Sequence, residues 1–136
     1  MGAFVRGQRG QYSRKVKFGV PEGTGTKYHD MIITFNEQSQ EYLTTITETT
    51  ERESDLPRKD KSLTYEDICR DIVAGWQPNG KVFEEQDKSP VEYSPENLEA
   101  FLVFPMVAQT IVMAFVESMT DRTKPSGNSK GQRSGG

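Results

Sequence analysis

One cysteine and one histidine are the chain's whole supply of thiolate and imidazole metal ligands. Cys69, being alone, excludes an intrachain disulfide. Cys69 and His29 together are too few for a zinc site of ordinary composition. The same scarcity leaves no support for a Cys–His or Ser–His–Asp arrangement. His29 reads as an exposed strand residue beside Asp30, and Cys69 as a small core residue. The stretch "GVPEGTGTK" lacks the spacing of a phosphate loop, because Thr24 stands where the second glycine is required. Glu84, Glu85 and Asp87 lack the ligand spacing of a calcium loop and read as solvated charge. An enzyme is therefore not expected, and neither is a catalytic residue, a bound metal or a cofactor.

Long hydrophobic runs are also missing. The one greasy stretch, "FLVFPMVAQTIVMAFV" at residues 101–116, is interrupted by Pro105, Gln109 and Thr110. A membrane span needs roughly 20 apolar residues, so a pair of helices outside the membrane is the better reading. The N-terminal "MGAFVRGQRGQYSRK" has no apolar core of signal-peptide length, and Gly2, Gly7 and Gly10 interrupt any transit helix. With the lone cysteine, this sets the expectation of a reducing, cytoplasmic setting.

Charge is segregated beneath a net value of −3. Residues 1–21 carry Arg6, Arg9, Arg14, Lys15 and Lys17 and no acid, whereas residues 37–55 hold only Arg52 against their acids. The C-terminal stretch is basic again. The expected organisation is a flexible basic N-terminus over residues 1–13, one domain over 14–120, and a disordered Gly/Ser/Lys tail over 121–136.

Within that domain "RKVKFGV" and "YHDMIITF" alternate, with Val16, Phe18 and Val20, then Met31, Ile33 and Phe35, on one face. Pro21, Gly23 and Gly25 mark the turn of a β-hairpin between them. Two strands are marginal in water, so the hairpin must lie on helices or pair with another chain. Tyr42, Leu43 and Ile46 give the threonine-rich segment that follows a helical spacing. In "LTYEDICRDIVAGW", Thr64 caps a helix whose apolar stripe runs through Tyr65, Ile68, Cys69, Ile72, Val73 and Trp76 until Gly75 and Pro78 stop it. A loop follows, with one short strand expected around Val82 and Phe83. Ser94 caps the next helix with Pro95 at its first position, and Pro105 punctuates it from the last, expected at residues 106–120. The fold class is thus α+β, an N-terminal β-hairpin packed with a small bundle of three to four helices.

On a helical wheel the apolar residues of the last helix spread over about 200°, wider than the stripe of a helix lying on one core. It is either the central core helix, packed by Trp76, Leu102 and the hairpin, or a surface for other chains. Residues chosen for partner binding or self-association are Trp76, Leu98, Phe101, Phe104, Met106, Val107, Ile111, Met113, Phe115 and Met119. Phe104, Met106, Met113 and Met119 are the ones expected to be exposed.

The stretch "DIVAGWQPNGKVFEEQDKSPVEYSPENLEAFLVFPMVAQTIVMAFVESM" resembles the tail assembly chaperones of long-tailed bacteriophages and prophages. The carriers are Ile72-Val73, Gly75-Trp76, Tyr93-Ser94-Pro95 with Leu98, and Pro105-Met106-Val107-Ala108 before an apolar helix. "KVKFGVPEGTGTKYHDMIITF" resembles the family's opening hairpin, so the likeness covers about residues 14–120. Here Phe35 leads into Asn36-Glu37, where the family often has basic residues. The resemblance implies a non-enzymatic protein that binds and solubilises the tape measure protein and helps recruit tail tube protein. It also implies a homo-oligomer acting in the host bacterial cytoplasm and absent from the mature virion. The alternatives are a nucleic-acid-binding module using the basic hairpin with Phe4, Tyr12 and Phe18, or a structural tail or capsid component.

Overall fold

The computed structural model describes residues 10–123 except Pro105, with side chains described to residue 120. Strand β1 (Gln11–Glu22) and strand β2 (Gly25–Asn36) form an antiparallel hairpin in which Glu22 faces Gly25 across a two-residue loop. Gly23 has φ +61° at the first loop position, where a type II′ turn requires glycine. The alternation is realised: Val16 and Phe18 on β1, and Met31, Ile33 and Phe35 on β2, are buried. On the opposite face Tyr28 lies across Gly19. A Cβ there would stand 3.2 Å from the tyrosine ring, so glycine permits that approach.

Helix α1 (Gln40–Arg52) starts at Ser39, whose hydroxyl accepts from the Tyr42 N–H, and it buries Leu43, Ile46 and Thr49. The threonines reconcile with the helix by bonding to it: Thr47 Oγ1 donates to the Leu43 carbonyl and Thr50 Oγ1 to the Ile46 carbonyl. A 3₁₀ turn (Arg58–Asp60) leads to α2 (Tyr65–Ile72), which opens with a reciprocal capping box between Thr64 and Asp67.

The helical stripe read through Trp76 is corrected here. α2 ends at Ile72, and Val73–Trp76 form a third strand, β3, antiparallel to β2. A regular strand turns residues three apart to opposite faces, but the register shifts between Thr34 and Phe35, and Val73 and Trp76 are both buried. Thus the hairpin's extra partner strand comes from its own chain, in the order β1-β2-β3.

The strand expected at Val82 and Phe83 is not formed; the loop carries a lone bridge between Glu84 and Pro90. It is anchored by Trp76, whose Nε1–H donates to the Val91 carbonyl at 2.8 Å. Helix α3 (Pro95–Leu102) is capped by Ser94, which accepts from the Asn97 N–H, with Pro95 at its start. Helix α4 (Val107–Thr123) completes an α+β fold of a three-stranded antiparallel sheet and four helices.

The domain limits also shift. β1 begins at Gln11 and α4 reaches Thr123, so residues 11–13 and 121–123 belong to the ordered elements. The expectations for residues 1–9, the tail from 124 onward, and Pro105 fall outside the described residues.

Candidate functional site

α4 settles against the sheet and α2 through Ala108, Ile111, Val112, Phe115, Ser118 and Met119, all buried. At 100° per residue these span about 120°, an ordinary width for a helix lying on one core. Val107, Ala114 and Val116 are only partly buried at its margins. The expected 200° arc is thus met by one core, its edges stopping half-covered. Phe115 packs on Phe35 with ring centres 5.6 Å apart, and the Tyr12 and Ser118 hydroxyls share a 2.8 Å hydrogen bond.

This burial corrects most of the contact set. Trp76, Leu98, Phe101, Ile111, Phe115 and Met119 are core residues, and Val107 is half-buried. Trp76 meets Tyr93 and Phe101 edge-on, and Phe101 stacks on Phe83 at 4.5 Å and touches Phe18 at 5.5 Å. These rings hold α3 to the sheet, so Trp76 and Phe101 cannot reach a partner without opening the core. Met119, expected outside, is inside because it falls on the same face of α4 as Phe115 and Val112.

Three of the chosen residues remain outside: Phe104 at 50% exposure, Met106 at 64% and Met113 at 58%. Val103, not singled out from the sequence, is the most exposed of all at 77%. Its signal was present, since it lies off the Leu98–Phe101–Leu102 stripe that α3 buries. Val103, Phe104 and Met106 crowd the corner between α3 and α4. Phe104 is steadied there by an edge contact with Phe83, ring centres 5.9 Å apart. Met106 has φ +70°, a left-handed conformation uncommon for a side chain with a Cβ, and its carbonyl accepts the Thr110 N–H at the start of α4. Met113 sits on the solvent face of α4, about two turns further on.

Beside the corner lies an open groove of about 510 Å³, with Leu102, Val103, Phe104, Met106 and Ala108 on one wall and Tyr65 near the other. Its rim is charged but paired. Arg70 donates from Nε and Nη2 to both Glu99 carboxylate oxygens at 2.7 and 2.9 Å, tying α2 to α3, and from Nη1 to Asp67 at 2.9 Å. Arg58 meets Glu66 at 2.8 Å. The Arg70 guanidinium holds the Glu99 carboxyl below its usual range. Asp67 is lowered by the Thr64 backbone N–H and then by its hydroxyl. Such partly exposed pairs orient the rim more than they stabilise the fold.

The groove offers binding surface and little reactive chemistry. Cys69 lies beneath it, buried, its thiol donating to the Ala108 carbonyl at 3.5 Å and pushed up to about 12 by burial. A thiol so protonated is a poor nucleophile. Among the described residues no three His, Cys, Asp or Glu side chains gather to hold a metal ion. No single described helix is long and apolar enough to cross a membrane.

The hairpin's aromatic side chains also find their places. Phe18 is buried and Tyr12 half-buried, both packed against the core, so neither is a free stacking platform for bases. Phe4 lies outside the described residues. His29 is half-buried rather than exposed, lining a shallow polar hollow with Lys27, Lys81 and Glu84.

Compared with family models, curated proteins and solved structures, the chain gave no match.

Proposed function

We propose that this chain is a bacteriophage tail assembly chaperone, non-enzymatic, which takes apolar helical segments of the tape measure protein on its α3–α4 corner. One observation carries the reading. Of the exposed large apolar residues, Val103, Phe104 and Met106 are gathered at one corner, on the lip of an open groove. Exposed apolar side chains gathered at one place mark interaction sites in proteins that otherwise bury them. Methionine, unbranched and polarizable, suits a surface that must accept many similar helices. An amphipathic helix laid into such a groove is read through anchors three and four residues apart.

The energetics fit temporary holding. Covering about 300 Å² of apolar surface contributes roughly 7 kcal/mol before costs. Lost freedom on association, about 4 kcal/mol or more, offsets much of it. Moderate affinity lets a tail tube subunit displace the chaperone later. On this reading the chain self-associates along the tape measure protein, works in the host bacterial cytoplasm and leaves before the virion is complete.

Co-expression with the tape measure protein of the same phage tests this. Wild type should keep that protein soluble and co-purify with it, and Phe104→Asp with Met106→Asp should not, while retaining the wild-type circular dichroism. Purified virions should lack the chain by mass spectrometry. Equal precipitation of the tape measure protein with and without the chain would overturn the proposal. Recovery of the chain from virions would favour a structural component instead.

A further inference from the structure

The long edge of the sheet is the second surface that the fold leaves open. β1 is an outer strand of twelve residues, with β2 on one side and no strand on the other among the described residues. Its hydrogen-bonding direction follows from the ladder. In an antiparallel pair, alternate residues turn their N–H and C=O groups toward the partner, and those between turn them away. The Glu37 N–H donates to the Gly10 carbonyl at 2.8 Å, and Gly10 stands opposite Glu37 in the same register that sets Gln11 against Asn36. Even-numbered residues therefore face β2. The Ile32 carbonyl, opposite Lys15, accepts from the Gln77 N–H on the far side, as that phase requires. Ser13, Lys15, Lys17 and Gly19 accordingly direct their backbone polar groups to the open side. Pro21, also odd-numbered, sits where its missing N–H interrupts nothing in the hairpin.

Along its middle the edge is positive. Arg14, Lys15 and Lys17 are exposed, no acid occurs on β1 before Glu22, and the acid nearest across the ladder is Asp30 of β2, opposite Lys17. Such an edge resists a second copy of itself. Two β1 strands paired antiparallel about Val16 would set Lys15 of each opposite Lys17 of the other, and like charges directly opposite are destabilising. The same arrangement attracts a strand with carboxylates at those places.

We infer that the open edge of β1 is a docking site for an extended, acidic segment of another protein, which adds a fourth strand with carboxylates at alternate positions opposite Lys15 and Lys17. The backbone ladder supplies affinity and the lysines supply selection, as in other strand additions to sheet edges. The site shares no residue with the α3–α4 corner and stands or falls apart from it.

Amide hydrogen exchange on the full chain tests this, with a blocked eight-residue peptide alternating glutamate and threonine as the probe. The expected result is slowed exchange at Ser13, Lys15, Lys17 and Gly19, with the even-numbered amides unchanged. The same peptide with lysine for glutamate should bind on the order of tenfold more weakly. Lys15→Glu with Lys17→Glu should invert that preference; both side chains are exposed, so the fold should be kept. Absence of protection, or protection without the odd–even alternation, would overturn the inference. So would odd-numbered amides already protected in the free chain: loss on dilution would make the occupant a second copy, and persistence would make it the chain's own terminal residues.

Discussion

The left-handed backbone at Met106 can be tested by exchanging alanine and glycine there. Both substitutions remove nearly the whole side chain, which is 64% exposed, so both forfeit the same modest packing. They differ in the backbone. At φ +70° a residue with a Cβ bears about 1–2 kcal/mol of strain that glycine does not. Glycine costs about 0.5–1 kcal/mol more than alanine through the freedom of its unfolded chain. The difference leaves Met106→Gly more stable than Met106→Ala by about 0.5–1 kcal/mol, whereas inside a helix the order is reversed. For a domain of this size that is a melting difference of about 2–4 °C, measurable by circular dichroism with a urea titration as check. On the proposed function both variants should also lose affinity for the tape measure protein, so Met106→Gly would be a weakened binder without the full stability cost of truncation. If Met106→Ala proves equal to or more stable than Met106→Gly, the corner is not held left-handed at Met106 and the strain argument fails.

Trp76→Phe should cost about 2–3 kcal/mol in urea unfolding, since it strands the buried Val91 carbonyl and thins the cluster with Tyr93 and Phe101. A loss under about 0.5 kcal/mol would mean that this bond does not hold the loop. On α4, Phe115→Ala should cost about 3–5 kcal/mol, because the ring is wholly buried against Phe35, whereas the exposed Met113→Ala should stay within about 0.5 kcal/mol. Similar losses at both sites would refute the assignment of the buried face. Ser62→Ala should make stability less dependent on acid. The Ser62 hydroxyl, at 2.6 Å, is the main cause that lowers the Glu53 carboxyl below its ordinary 4.5. A lowered folded value gives stability that is present above 4.5 and lost as pH falls through the folded value. The gap between wild type and variant should therefore be full at pH 7 and close in acid; a gap that widens in acid would contradict the sign.

The two proposed surfaces are chemically distinct. The corner presents oily side chains with adaptable shape, and β1 presents a directional ladder with a charge filter. A variant impaired at one should retain the other, since no side chain is shared between them.

Local chemistry in the sequence determined the parts whose signals act over a few residues. The hairpin follows from strict alternation around Gly23, α2 from the Thr64–Asp67 box, and α3 from Ser94 with Pro95, because turns and caps are satisfied by neighbours in the chain. The tertiary structure decided what periodicity leaves degenerate. Val73 and Trp76 keep helical spacing with Ile68, Cys69 and Ile72, yet the open side of β2 offers hydrogen bonds and the register shift lets both side chains stay inside, so the segment becomes a strand. Likewise the apolar wheel of α4 shows that much of the helix can be buried, but not which 120° will be. That choice depends on where Phe35, Tyr12 and Cys69 meet it, and on the sharp corner that leaves Val103, Phe104 and Met106 in water.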